Sequence, residues 1–394
     1  MKIVIALASH SAHFSGVQRH AINLTHCLIS RPEIAEVHMV SAPWQESLVR
    51  DSAPTGDPRL HVHIASIGDN AFSRNRWFYS QLPRLAAQLH ADIVHLAYPV
   101  PMRRGAFSCQ TVVTLHDLYP YDIPKNFGFP KVLFNRLLLQ QCLRRADAIA
   151  CVSQCTLSRL QSLSPKLSQK ATVINNSVAP YAGPDTETSP LEWGSHPFLL
   201  CVAQHRRNKN ILLVLQVFER LLTSRQIPST TQILIVGIEG PETPAIKNFI
   251  AKSGLTQRVV LLSGISDSQL QWCYRNCSVV LAPSIVEGFG LPVAEAQLAG
   301  CRIVCSDIAA FRELGGTSCH YVPIGPMQVE AFTDAVCAAL RVPVPEPLLL
   351  PQFSQSVIAE AYVQLYRSLL PLPADNPNAN QTNLPSAGER QYLL

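Results

Sequence analysis

Short apolar runs alternate with helically spaced apolar stripes along the chain. Lys2 to Ala8 is apolar and rich in β-branched residues, and after a Ser15-Gly16 turn, Val17 to Ile29 carries apolar residues at helical spacing. Val37 to Val40 and Leu60 to Ile64 read as strands, Tyr79 to Leu89 as a helix despite Pro83, and Ile93 to Leu96 and Thr111 to Leu115 as strands again. Phe134 to Ile149 predicts a helix with Leu137, Leu138, Cys142, Leu143 and Ala146 on its apolar face and Arg136, Arg144 and Arg145 toward solvent. Strands Ala148 to Val152 and Thr172 to Ile174 complete this half. Helices between short buried strands imply a mostly parallel sheet covered on both faces.

From Ala179 to His196 the chain is rich in Pro, Gly, Ser, Thr and Glu, which cannot build a core, so an interdomain linker is expected there. The rhythm then restarts. Phe198 to Val202, Gln232 to Val236, Arg258 to Leu262, Val279 to Leu281 and Ile303 to Cys305 read as strands, and Ile211 to Leu222 as a helix. The expected organisation is a first α/β domain over 1–178, the linker over 179–196, a second α/β domain over 197–350 and a helix within 351–370 packing back toward the first. A tail over 371–394 has little to bury and is expected to be disordered. Ligands of such open sheets sit beyond the carboxyl ends of the strands, so the loops after Val202, Val236, Leu281 and Cys305 should converge on one site.

Composition fits two cores: 394 residues, 47% hydrophobic and 15% charged. The net charge of +5 suits anionic ligands or an anionic surface, but no Lys/Arg tract is dense enough for a nucleic-acid stripe, so nucleic acid is not expected as a partner. Twelve cysteines without a CxxC pair point to reduced, mostly buried thiols and a cytoplasmic setting. The apolar start breaks at His10, Ser11 and His13, which favours a buried strand over a signal peptide. No run of 18 apolar residues occurs, so the expectation is a soluble or peripheral protein.

Chemistry concentrates in three places. Pro283 to Ala296 (PSIVEGFGLPVAEA) follows a strand; Gly288 and Gly290 allow a tight turn and close approach of a ligand, and Pro292 suits the opening of a helix whose free N–H groups would receive a diphosphate. Glu287 can accept hydrogen bonds from sugar hydroxyls and Glu295 from a ribose; otherwise Glu287 caps its turn and Glu295 pairs with a neighbour. Gln204 to Asn210 (QHRRNKN) brings Arg206, Arg207 and Lys209 to a strand-to-helix loop, where cations can hold a departing diphosphate, or can simply be solvated. His116 and Asp117 end a strand of the first domain, where a histidine can orient a sugar hydroxyl or serve structure alone. Gly16 would let the backbone near a phosphate, and Arg19 beside it reads either as part of that loop or as a surface helix residue.

The chain resembles the retaining glycosyltransferases of family four, with the GT-B fold of two Rossmann-like domains facing a cleft, and is similar to bacterial mannosyltransferase-like members. The resemblance rests on Glu287 to Ala296 (EGFGLPVAEA), Arg207 to Asn210 (RNKN), His116-Asp117, Val152-Ser153 and Ser263 to Ser284. It implies that Lys209 and an arginine before it hold the diphosphate, His116 lies over the donor sugar, Glu287 binds the sugar and Glu295 the ribose. The backbone at Gly16, Gly288, Phe289, Gly290 and Leu291 would meet the phosphates. UDP- or GDP-sugars are the implied donors, with a mannosyl donor favoured, and polysaccharide, lipopolysaccharide or glycolipid the implied products. Two departures stand out: Ala203-Gln204 replaces the family's Gly-Arg, shifting the arginine role to Arg206 or Arg207, and Asn176-Ser177-Val178 replaces Asn-Gly-Val.

No Asp-x-Asp occurs and no zinc spacing is present, so no tightly bound cofactor and no essential divalent metal are expected. A nucleotide-sugar epimerase or phosphorylase of the same plan, and a noncatalytic sugar-nucleotide-binding protein, are the alternatives. For a glycan or lipid-linked acceptor at the inner face of a membrane, Arg74, Arg76, Trp77, Phe78, Tyr79, Lys125, Phe127, Phe129 and Lys131 offer a basic aromatic surface, unless the aromatics pack into the core.

Overall fold

The computed structural model describes residues 1–10, 15–178 and 196–371; the expected linker and tail lie outside these apart from His196 and Pro371. Two wholly parallel sheets form. The first contains β1 (Lys2–Ala6), β2 (Glu36–Ser41), β3 (Leu60–Ile64), β4 (Ile93–Leu96), β5 (Gln110–Leu115), β6 (Ala148–Cys151) and β7 (Ala171–Val173), in the order β3-β2-β1-β4-β5-β6-β7. The second contains β8 (Phe198–Val202), β9 (Gln232–Val236), β10 (Val259–Leu262), β11 (Val279–Ala282), β12 (Ile303–Ser306) and β13 (Cys319–Val322), in the order β10-β9-β8-β11-β12-β13. Strand order reverses between β1 and β4 and again between β8 and β11, and crevices for ligands open at such reversals.

Both faces of each sheet are buried, which is why the strands read as continuous apolar runs. Val4 and Ala6 pack on one face with Trp77, Phe78 and Leu143, while Ile3 and Ile5 pack on the other with Ala21, Leu28 and Tyr362. The helix Gln355–Leu369 therefore belongs to the first sheet, inserting Ile358, Ala359, Tyr362, Val363 and Tyr366 beside the helix Gly16–Ile29. Taking an aliphatic side chain such as Ile358 or Val363 from water contributes about 1.5–3 kcal/mol. The outgoing and returning chains meet where Val178 donates its N–H to the Phe353 carbonyl (2.9 Å). Around them Val152, Val178, Phe289, Ala294, Leu314, Leu350 and Phe353 form an apolar cluster joining the domains.

Three sequence expectations change. The helix containing Pro83 begins at Ala71, with the Asn70 side chain accepting from the Ser73 N–H (2.8 Å); polar Ser73 to Arg76 masked its first turns. Trp77 and Phe78 are buried in the core, so they do not belong to a surface patch. The helix expected from Phe134 spans Lys131–Arg145 and turns Leu139, Cys142 and Leu143 inward. Leu137, assigned to its apolar face, points outward with Leu133 and Phe134, because the buried stripe runs 139, 142, 143, 146. Helices Gln154–Leu163, Thr243–Lys252, Asp267–Asn276 and Gln328–Arg341 were not read from the sequence. All twelve cysteines are free.

Candidate active site

The turn after β8 is pinned to the exit of β9. Ala203 and His205 donate their N–H groups to the carbonyls of Val236 and Ile238, at 2.8 and 3.1 Å. A Cβ on Gly237 would lie 2.0 Å from the Ala203 carbonyl oxygen, so only glycine permits this approach. Buried His205 holds Thr243 through Nδ1 (2.9 Å). Arg207–Lys209 then makes one 3₁₀ turn, ended by Asn210 in the left-handed region (φ 53°), and the helix Ile211–Thr223 departs.

That turn returns Lys209 over the strand ends, where its Nζ lies 2.5 Å from Glu287 Oε1. Both partners are largely buried. Tyr119 of the first domain donates its hydroxyl to Glu287 Oε2 (3.1 Å), so the carboxylate is held from both sides of the cleft. Burial, with the charges of Glu287 and Asp117 behind it, raises the Tyr119 phenol well above its ordinary range and keeps it a donor. The Asn208 carbonyl takes the Ile285 N–H (2.8 Å), tying the cationic turn to the glutamate loop.

Gly290 (φ 106°) bends the loop into the helix Leu291–Leu298; a Cβ there would meet Phe311 at 2.8 Å. Gly288 meets the first domain instead. A Cβ on it would sit 1.6 Å from the His116 carbonyl oxygen. Its own carbonyl accepts hydrogen bonds from Ser153 and from Thr156 (3.1 Å). Beside it Glu313 accepts the backbone N–H groups of Gln154 and Cys155 (2.8 and 3.0 Å), capping a first-domain helix from the second domain. The Phe289 ring turns away into the joining cluster, edge-on to Phe353 at 5.4 Å, leaving only its backbone for the loop.

On the first-domain side, His116 donates Nε2–H to the Ala97 carbonyl (2.8 Å), and burial lowers its pKa to about 4. It is a neutral ring with Nδ1 as its acceptor. Burial pushes the neighbouring Asp117 up to about 6; the Tyr119 N–H, Arg206 and Lys209 oppose the rise and Glu287 adds to it. Arg206 is half-buried and its charge reaches Asp117 and His10, whereas Arg207 is exposed. The structure thus brings Arg206, Lys209, Glu287, Gly288, His116 and Asp117 together and leaves Arg207 at the rim.

Glu295 lies in the opening turns of its helix and accepts the Tyr274 hydroxyl (2.8 Å). Burial raises its pKa, and the opposing charge is Arg19. Arg19 is partly buried on its helix and reaches across the cleft to pair with Asp267 (2.6 and 3.3 Å). Gly16 opens its helix exposed, and among the described residues no other part of the fold lies within 4 Å of where a Cβ would sit. Tyr119, Tyr274, Asp267, Ser153 and Thr156 were not read as site residues, since each meets its partner only through folding. Asn126, hydrogen-bonded across the cleft to Asn208 (3.2 Å), is another.

The crevice lined by Ala203, Lys209, Ser284, Glu287 and Pro292 has only about 10 Å³ open. A groove of about 590 Å³ between β3 and the helix Ala71–Gln88, lined by His63, Trp77 and Arg84, shares none of these residues. The chemistry, not the volume, marks the site.

Residues 14–180 match the Glycosyltransferase Family 4 family and residues 186–343 match Glycosyl transferases group 1. The chain belongs to the group 1, family 4 glycosyltransferases. It is 24% identical over 360 residues to O-antigen chain mannosyltransferase B of Escherichia coli, covering 86% of this chain and 91% of that protein. It is 25% identical over 226 residues to O-antigen chain mannosyltransferase RfbU of Salmonella typhimurium, but there it spans 57% of this chain and 58% of the relative's length. In three dimensions it is similar to Anabaena HepE in complex with UDP and glucose, with a TM-score of 0.61, 16% identity, and 93% and 98% of the two chains covered. The fold of this glycosyltransferase is GT-B, two Rossmann-like domains built on parallel sheets.

Proposed function

We propose that this glycosyltransferase moves a hexosyl group, with mannose favoured, from a nucleoside-diphosphate sugar to a glycan or lipid-linked acceptor with retention at the anomeric carbon. The observation that carries the reading is the Lys209–Glu287–Tyr119 cluster at the β8/β11 reversal, with Gly288 against His116. Lys209 and Arg206, with the N–H groups opening the helix Leu291–Leu298, receive the diphosphate; Glu287 and His116 hold the sugar, and Glu295 the ribose. The bond from C1 to the phosphate oxygen breaks with its electron pair going to the diphosphate. The acceptor oxygen bonds to C1 on the same face and passes its proton to a phosphate oxygen. Donor entry displaces Lys209 from Glu287, freeing the ammonium for phosphate and the carboxylate for sugar hydroxyls.

The names of the two relatives favour a mannosyl donor, and the UDP in the HepE complex favours the uridine series. A screen of donor binding and hydrolysis across UDP- and GDP-sugars separates them, with GDP-mannose expected to turn over. Binding without turnover across an acceptor panel would make the protein noncatalytic, and conversion of donor alone into an isomer would make it an epimerase. Because protein cations neutralise the leaving group, transfer is expected to survive EDTA; loss restored by Mg²⁺ or Mn²⁺ would contradict this.

No described helix is long and apolar enough to cross a membrane. An apolar ridge nevertheless projects beside the cleft: Phe129, Leu133, Phe134 and Leu137 are at least half exposed. Residues 123–146 hold Lys125, Lys131, Arg136, Arg144 and Arg145 and no Asp or Glu. This chemistry fits peripheral contact with an anionic bilayer at the cytoplasmic face, where a lipid-linked acceptor would be presented. Sedimentation with phosphatidylglycerol vesicles is expected, with phosphatidylcholine vesicles leaving the protein in solution. The double variant Phe129→Ser/Phe134→Ser should abolish it without changing donor hydrolysis; binding that ignores lipid charge or these residues would dismiss the surface.

A further inference from the structure

Five polar side chains run through the first domain beneath the site. Tyr366 hydroxyl and His95 Nδ1 are 2.6 Å apart, His95 Nε2 and Thr114 Oγ1 2.7 Å, Thr114 Oγ1 and His20 Nε2 3.0 Å, and His20 Nδ1 and Asn176 Oδ1 2.9 Å. All five are at most 5% exposed, amid an apolar core where a polar group without a partner is costly.

The chemistry sets the direction of every bond. Asn176 Oδ1 can only accept, so His20 carries its proton on Nδ1. Burial lowers the pKa of His20 well below its ordinary value, with the nearby His116 and His95 rings adding to it, and that of His95 to about 3; both rings are therefore neutral. Neutral His20 then accepts at Nε2 from the single proton of Thr114. Thr114 must in turn accept from His95 Nε2–H, and His95 Nδ1 from the Tyr366 hydroxyl. The four bonds point one way, from the helix Gln355–Leu369 to the segment leaving the first domain, and each polarises the next.

His116 abuts this run. Thr114 precedes it by two residues on β5, and the His20 and His116 rings meet edge to face with centroids 4.8 Å apart and planes at 85°. His116 has a bond to Ala97 through Nε2, which leaves its tilt to be set by what packs against the ring. A His20 ring tied at both nitrogens cannot rotate and supplies a fixed wall.

We propose that the run Tyr366, His95, Thr114, His20 and Asn176 positions His116 over the donor sugar, with His20 the residue in contact and Tyr366 the distal lock. The proposal rests on the reading of His116 given above. These are positioning residues, since none of the five is placed against the substrate. The helix that returns from the second domain and the segment that departs toward it thereby bear on one imidazole.

The test uses the full chain labelled with ¹⁵N-histidine. Two-bond ¹⁵N–¹H correlation spectra should show His20 as the Nδ1–H tautomer and His95 and His116 as Nε2–H tautomers. Tyr366→Phe keeps the ring and removes the hydroxyl; it should shift the His95, His20 and His116 resonances and lower kcat for GDP-mannose hydrolysis about tenfold, with donor KM within about twofold. His20→Phe, which retains the ring contact and deletes both bonds, should lower kcat about a hundredfold with the same small effect on KM. An Nε2–H tautomer at His20 would overturn the proposal on the wild-type protein alone. So would a Tyr366→Phe variant that merely melts earlier, with kcat and the His116 resonances unchanged. Stated tautomers together with wild-type turnover in His116→Ala would instead remove the role of His116, and the positioning with it.

Discussion

Replacing Gly288 by valine is expected to abolish transfer, by about a thousandfold or more in kcat/KM, while leaving each domain folded. That factor corresponds to about 4 kcal/mol of lost transition-state stabilisation. The first carbon of any side chain would lie 1.6 Å from the His116 carbonyl oxygen, well inside contact distance, and both neighbours are backbone that cannot rotate aside. The domains must separate. Separation removes the Ser153 and Thr156 hydrogen bonds to the Gly288 carbonyl, draws Tyr119 from Glu287, and moves His116 away from the Gly288 turn. Since the collision lies between domains rather than within either core, the circular dichroism spectrum should be unchanged and the radius of gyration from X-ray scattering should increase. Wild-type turnover in Gly288→Val would show that the closed arrangement is not the reactive one.

Lys209→Met should lower kcat at saturating donor about 100- to 1000-fold, the usual effect of removing one well-aimed donor from a developing charge. It also leaves Glu287 buried with Tyr119 and without its cation. Breaking such a pair destabilises by about 3–5 kcal/mol, so lost stability alone could mimic lost catalysis. The double variant Lys209→Met/Glu287→Gln separates the two: an uncharged amide needs no cation, so the melting temperature should recover while turnover stays low. Recovery of turnover with stability would mean that Lys209 only balances Glu287 and has no part in the leaving group's departure. Kinetics with saturating donor and thermal melts of the three variants decide it.

Residues close in sequence were legible and residues joined only by folding were not. The strand, glycine turn and helix from Val279 to Leu298 all stand within 20 positions, so local chemistry announces them. RNKN is likewise one turn of chain. Which arginine faces the cleft is a matter of where a single 3₁₀ turn points, and Arg206 and Arg207 look alike until that turn is formed. Tyr119 and Glu287 are 168 residues apart, Arg19 and Asp267 are 248 apart, and no spacing links either pair. Aromatics mislead for a related reason: Trp77 and Phe78 sit beside Arg74 and Arg76 in sequence, yet helical geometry sends the rings to the core. The buried histidines left no sign at all, because His20, His95 and Thr114 belong to three elements whose adjacency is set by strand order.

The membership of Ile358, Tyr362 and Tyr366 in the first sheet's core carries a consequence for synthesis on the ribosome. A nascent chain that has emerged only as far as β7 still lacks the last layer over Ile3 and Ile5, and must wait through the whole second half with an oily face open to water. Vectorial synthesis therefore cannot finish the amino-terminal half first, and a clone cut before Pro351 would be a candidate for inclusion bodies rather than for a working domain.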